Sequence, residues 1–173
     1  MNRMKTFCAV VAMLVLPVAA SSSTGWEIGV ESVAPTGDFE EIAGGGGGLY
    51  AQSLIRVNDD LLATTYVGAI AYGGVQVFGA EFQWYGYPIT VGGAYYINGV
   101  DYGGLFVKAN VGLLYKIGTV EFLGQEEDET DTGYVLSPGV GWDFGKVNVT
   151  ADYNLGNDDW TWFAIKVAYR FGQ

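Results

Sequence analysis

Apolar and polar residues alternate along most of the chain with a period of two, and no stretch after residue 24 keeps helical spacing. From Leu105 one set of alternate positions reads Leu105, Val107, Ala109, Val111, Leu113, Tyr115 and Ile117. The other reads Phe106, Lys108, Asn110, Gly112, Leu114 and Lys116. The pattern returns with Val147, Val149, Ala151, Tyr153 and Leu155 set against Lys146, Asn148, Thr150, Asp152 and Asn154. It predicts eight strands, near residues 25–35, 46–57, 61–72, 82–97, 102–117, 132–144, 146–155 and 160–171.

The connections predicted between these strands alternate in length. Asn58-Asp59-Asp60, Asn98-Gly99-Val100-Asp101 and the single Gly145 are hairpin turns. Longer loops are expected at 36–45, 73–81 and 118–131, with a short last connection at Gly156–Asp159. Gly44–Gly48 reads as the flexible end of the first long loop, because the helix that a phosphate-cradling loop requires does not follow it. Pro88 and Pro138 fall inside strands, where a missing N–H breaks the ladder, and are read as bulges. Short turns at one end and longer loops at the other are the asymmetry of an outer-membrane barrel.

Alternation alone does not say which face is outside. A soluble sandwich turns the apolar face inward, whereas a membrane barrel turns it to lipid. Three features favour the barrel. The fifth strand, at roughly 3.3 Å per residue, is about 43 Å long, far beyond the usual sandwich strand of about 5–6 residues. Tilted, it rises enough to cross a hydrocarbon core of about 30 Å. The polar face is rich in small residues (Gly86, Thr90, Gly92, Gly133, Ser137, Gly139 and Gly141), as the narrow inside of an eight-stranded barrel requires. Finally, Arg56, Lys108, Lys116, Lys146, Lys166 and Arg170 all take the parity of the polar face, together with Glu27, Glu31, Asp143 and Asp152. Charges shut inside a barrel need partners. Closure of the first strand on the eighth sets Glu27 near Arg170 and Glu31 near Lys166. Trp26, Tyr85, Tyr87, Tyr95, Tyr115, Trp142, Phe144, Tyr153, Trp160, Trp162, Tyr169 and Phe171 are read as interfacial girdles.

Composition narrows the function. The 173 residues hold 19 acids, 8 bases and no histidine, for a formal net charge of -11. That sign excludes a nucleic-acid binder. One cysteine excludes a disulfide framework within the chain. The absence of histidine removes the commonest general base and the commonest zinc ligand, so no enzyme and no cofactor is expected. Residues 1–20, with Arg3 and Lys5 ahead of an apolar run from Phe7 to Ala20, read as a signal peptide, leaving residues 21–173 as one barrel domain.

At this level of pattern the chain from Gly25 to Phe171 resembles the small outer-membrane β-barrel proteins of the OmpA/OmpX type. The resemblance rests on GVESVAPTGDFEEIAGGGGGLY, YPITVGGAYYI, SPGVGWDFGKVNVTADY and the terminal FAIKVAYRF. It implies an all-β fold, an eight-stranded antiparallel up-and-down transmembrane barrel in the outer membrane. It also implies an assembly signal at Phe163, Ile165, Val167, Tyr169 and Phe171, read by the outer-membrane assembly machinery. Gly172 and Gln173 follow the final aromatic, a departure from the usual signal, which ends on it.

What chemistry remains is sparse. A lumen charge network of Glu27, Glu31, Arg56, Lys108, Asp143, Asp152, Lys166 and Arg170 is expected. The acid-rich segment with Glu126, Glu127, Asp128, Glu129 and Asp131 is read as a solvated loop. The alternative is loose divalent-ion bridging to lipopolysaccharide phosphates. Inward Trp84, Tyr96, Phe106 and Leu114 argue against a general diffusion channel. The first expectation is a monomeric barrel with a structural, surface-contact or adhesion role. Outer-membrane lipid and lipopolysaccharide are its expected partners, and nucleic acid is not. The alternatives are a narrow pore or hydrophobic-ligand carrier, and a secreted soluble barrel.

Overall fold

A computed structural model describes residues 25–77, 80–122, 125–157 and 159–172. The signal peptide reading of 1–20 and the boundary at 21 lie outside the described residues. Eight strands, β1 (Gly25–Thr36), β2 (Gly44–Arg56), β3 (Leu61–Val77), β4 (Ala80–Tyr96), β5 (Gly104–Phe122), β6 (Gln125–Asp143), β7 (Val147–Gly156) and β8 (Thr161–Phe171), follow one another round a closed antiparallel barrel. Each strand pairs with its neighbours in sequence. β8 closes on β1 in a register running from Trp26 opposite Phe171 to Thr36 opposite Thr161. No helix among the described residues is long and apolar enough to cross a membrane.

The polar parity of the alternation faces inward. Leu113 is 59% exposed on the outer wall, and the next residue, Leu114, is fully buried in the lumen. Along β8, Phe163, Ile165, Val167, Tyr169 and Phe171 are exposed, whereas Trp162, Ala164, Lys166, Ala168 and Arg170 are buried. The small residues on the inner face make room for large ones opposite. A Cβ at Gly141 would strike the Phe106 ring, and one at Gly118 the Trp84 indole.

Several expectations are corrected. The predicted loops at 73–81 and 118–131 are mostly strand. β3 and β4 run on to Val77 and from Ala80, and β5 and β6 to Phe122 and from Gln125. Acidic residues have poor strand propensity in isolation, but a continuous partner strand supplies the hydrogen bonds that propensity does not. Gly44–Gly48 likewise belongs to β2. Gly46, Gly47 and Gly48 pair with Val33, Ser32 and Glu31 on β1 and with Tyr72, Ala71 and Ile70 on β3. Glycine is required at Gly46, where a Cβ would collide with the Ala71 carbonyl, and at Gly48, where it would meet the Ala69 carbonyl.

Pro88 and Pro138 are not bulges. Each interrupts the ladder on one side only, towards β3 and β7 respectively, and leaves the register unchanged. The register shifts fall instead at Gly44/Gly46 and Tyr72/Val75. Trp160 and Trp162 are not girdle residues but lie inside, 6% and 1% exposed. Lys146 leaves the strand parity altogether and stands exposed in the turn between β6 and β7.

Candidate functional site

The barrel interior is stacked in layers. At the long-strand end, the 3-10 turn Gly37–Glu41 folds over the mouth and drives Phe39 into it, only 2% exposed. Phe39 stacks on Trp160 with ring centroids 4.1 Å apart and meets the edge of Tyr72 at 5.0 Å. Leu114, Val135, Trp162 and Ala164 complete this plug, with Trp84 against its side. Lys116 lies 5.1 Å from the Trp160 ring centroid and pairs with Asp131 at 2.6 Å.

Below the plug lies the charge layer. Lys166 sits 3.4 Å from Glu31 and 3.2 Å from Asp152, which also takes Lys108 at 2.9 Å. Lys166 Nζ stands 4.0 Å over the Tyr66 ring, and the Tyr66 hydroxyl donates to Glu31 at 2.8 Å. One step lower, Arg170 donates through Nε and Nη2 to Glu27 at 2.9 and 2.8 Å, and through Nη1 to Asp143 at 2.7 Å. Tyr96 accepts from Arg170 and donates to Asp143, each at 3.0 Å. Asn148 and Gln52 donate further hydrogen bonds to Glu27. A buried carboxylate needs partners of this kind, which Glu27 and Asp143 have, whereas Glu31 Oε2 and Asp152 Oδ1 accept no hydrogen bond from the described residues. Leu54, Leu62, Ala94, Tyr96 and Phe106 pack beneath.

Of the eight residues expected to form the lumen network, Glu27, Glu31, Lys108, Asp143, Asp152, Lys166 and Arg170 come together inside. Glu27 stands opposite Arg170 and Glu31 opposite Lys166 in the β1–β8 register. Arg56 does not join them. It lies at the short-turn rim and donates to Asp101 at 2.6 and 2.9 Å and to Asp59 at 3.1 Å. This contact holds the Asp101 carboxyl below its ordinary value, first through the hydrogen bond and then through the charge of Arg56. Sequence reasoning missed Tyr66, Tyr96, Asn148 and Gln52 as members of the network. For Tyr96 and Asn148 the available signal was the strand alternation, which sets them on the same faces as Trp84 and Asp152.

The segment with Glu126, Glu127, Asp128, Glu129 and Asp131 lies in β6, with Glu129 exposed and Asp131 engaged by Lys116. The side chains of Glu126, Glu127 and Asp128 lie outside those described. The described residues bring no three metal-ligating side chains together.

Among the described residues, two spaces in the lumen are small. One of about 20 Å³ lies between Glu27, Thr64, Lys108 and Thr150, and one of about 10 Å³ between Glu31, Thr90, Asn110 and Trp162. Each holds a single water at most. Below them the short-turn end opens into a recess of about 310 Å³ walled by Leu54, Leu62, Val100, Arg56 and Asp101.

The described strands form a closed eight-stranded up-and-down barrel, apolar outside, with paired charges and an aromatic plug inside. Several solved structures share this fold. Ail, the attachment invasion locus protein of Yersinia pestis, superposes with a TM-score of 0.66 at 16% identity, over 85% of this chain and 97% of its own. Ail is also known in complex with the heparin analogue sucrose octasulfate. Neisserial surface protein A gives 0.54 at 14% identity over 86% of this chain and 96% of its own. The N-terminal barrel domain of Pseudomonas aeruginosa OprF gives 0.53 at 13% identity over 87% and 100%. These likenesses establish the fold. No protein-family model and no curated protein matches the sequence.

Proposed function

We propose that this chain is an integral outer-membrane barrel with a structural, surface-contact or adhesion role and neither a catalytic centre nor an open pore. The observation that carries the reading is the inverted wall. Ile28, Val30, Leu49, Val91, Val111, Leu113, Ile165 and Val167 are exposed, while the ion pairs are buried. A soluble barrel with this exterior would present a continuous apolar belt to water, far larger than the patches that monomers tolerate. Outside lipid and inside filling are the consistent solution.

A pore or hydrophobic-ligand carrier fits less well, because Leu114, Tyr96, Phe106 and the charge layer fill the lumen and the two spaces between its described residues are about 20 and 10 Å³. The long-strand end would face outward, since both barrel termini and the tight turns lie at the other. Asp38, Glu40, Glu41, Glu129, Asp131 and Asp159 are exposed at that outer end. A surface partner would therefore be basic or neutral. A sulfated polyanion of the kind seen with Ail would be repelled.

The test is fractionation with heat-modifiable gel migration. The reading requires recovery in the outer-membrane fraction, dependence on detergent for solubility, and a mobility change on boiling. A protein soluble without detergent would overturn it.

A further inference from the structure

Among the described residues the exterior carries cations at one end only. Among the described residues Arg56 and Lys146 are the two bases outside the lumen, and both lie at the short-turn end. Arg56 is occupied by Asp59 and Asp101. Lys146 is different. It lies in the exposed turn Phe144–Lys146, and no acid among the described residues pairs with it.

The turn is held firmly from below. Its carbonyl at Lys146 accepts from the Arg170 N–H at 2.8 Å, and the Phe144 N–H donates to Val147 at 2.8 Å. The Gly145 N–H donates to Asp143 at 2.7 Å. Beside Lys146 runs a groove of about 340 Å³ between this turn and the end of β8, lined also by Gly145, Tyr169, Arg170, Phe171 and Gly172, with no acid among its described lining residues. Tyr169 and Phe171 meet edge to face with centroids 4.8 Å apart, and Trp142 and Phe144 approach at 6.3 Å across the turn. Val147 stands exposed opposite Tyr169, and the exposed Val167 and Ile165 lie above it.

This arrangement has the parts of a phospholipid site. Apolar wall lies on the hydrocarbon side, aromatic rings stand where the interface would be, and a single unpaired ammonium sits at headgroup depth. We infer that the groove between Lys146 and Tyr169/Phe171 binds the phosphate headgroup of an anionic phospholipid in the leaflet at the short-turn end, with the acyl chains laid on β7 and β8. The inference rests on the membrane reading above and deepens it. Charge complementarity selects the ligand, because a zwitterionic headgroup brings its own cation to Lys146 whereas phosphatidylglycerol does not. One lysine near an anionic lipid surface is worth about a fivefold preference.

The test is native mass spectrometry of the full barrel released from nanodiscs of equal phosphatidylglycerol and phosphatidylcholine. Wild type and Lys146→Gln are compared, with Arg56→Gln as a control at the same rim. Wild type should retain phosphatidylglycerol about fivefold over phosphatidylcholine. Lys146→Gln should retain the two equally, and Arg56→Gln should keep the wild-type preference. Inorganic phosphate at millimolar concentration should not displace the lipid. Equal retention by wild type, an unchanged preference in Lys146→Gln, or displacement by free phosphate would overturn the site. Failure of every variant to enter nanodiscs would overturn the membrane reading itself, a different result from insertion without preference.

Discussion

The ring of Phe39, carried on a five-residue 3-10 turn, stacks on Trp160 from the far end of the chain and seals the barrel mouth. Two residues remote in sequence thereby close the lumen where the strands are longest. Replacing Phe39 by Ala removes the stacked ring and opens a cavity against Tyr72 and Trp160. The expected loss is about 3 kcal/mol, the lower end for buried aromatic truncation, since the site is at the mouth and can partly collapse. Urea unfolding in lipid vesicles measures it. Planar-bilayer recordings of the same variant should stay closed, because Leu114, Trp162 and the charge layer remain beneath. Stable conductance in Phe39→Ala would mean that the plug alone closes a channel.

Arg170 bridges the buried carboxylates of Glu27 and Asp143. Arg170→Met leaves two carboxylates buried without their charge partner, and the expected destabilisation is about 3–5 kcal/mol. The double variant Arg170→Met/Glu27→Gln should recover part of that loss, since a neutral amide replaces one stranded charge. A double variant no better than the single would show that the pair acts through packing rather than charge.

The glycine run separates required from tolerated positions. A Cβ at Gly45 makes ordinary contact with the Val33 carbonyl at 3.5 Å, whereas one at Gly46 strikes the β3 backbone, with Tyr72 Cα at 2.8 Å. Gly45→Ala should leave unfolding free energy within about 0.5 kcal/mol of wild type. Gly46→Ala should cost about 1–3 kcal/mol, the usual range for overpacking. Equal effects would contradict the register of β2 between its neighbours.

At the short-turn rim, Arg56 lowers the pKa of Asp101 below the ordinary value of 3.8. A depressed carboxylate stabilises the folded state above its unfolded pKa. That stabilisation is lost as pH falls through the lower, folded value, so the window lies at and below about pH 4. Carboxyl NMR of Asp101 in micelles should titrate below 3.8 in wild type and move up in Arg56→Gln. An unchanged titration would separate the two residues in solution.

Much of the barrel is legible in the period of two. It distinguishes Leu113 from Leu114 and Ile165 from Lys166, and it sets Glu27 beside Arg170 once β8 closes on β1. What it misses has physical causes. Residues 125–131 read as loop because a run of acids disfavours an isolated strand, yet pairing with β5 holds them extended. Gly44–Gly48 reads as flexible because glycine's value there is lack of volume between two backbones. Trp162 follows the inward parity of Lys166 and Arg170, so its indole enters the lumen despite the general preference of tryptophan for interfaces. Lys146 escapes the parity because the turn at Gly145, at φ 89°, delays the start of β7 to Val147, one residue later than the alternation implies.

The central claim is that the exposed parity faces hydrocarbon and the buried parity does not. Trp142, on the outer wall and 49% exposed, and Trp162, inside and 1% exposed, report the two sides directly. In vesicles whose acyl chains carry bromine, Trp142→Phe should remove a large part of the quenchable fluorescence. Trp162→Phe should remove only emission that bromine does not reach. Quenching of Trp162 as strong as that of Trp142, or no lipid quenching of the protein at all, would contradict the account.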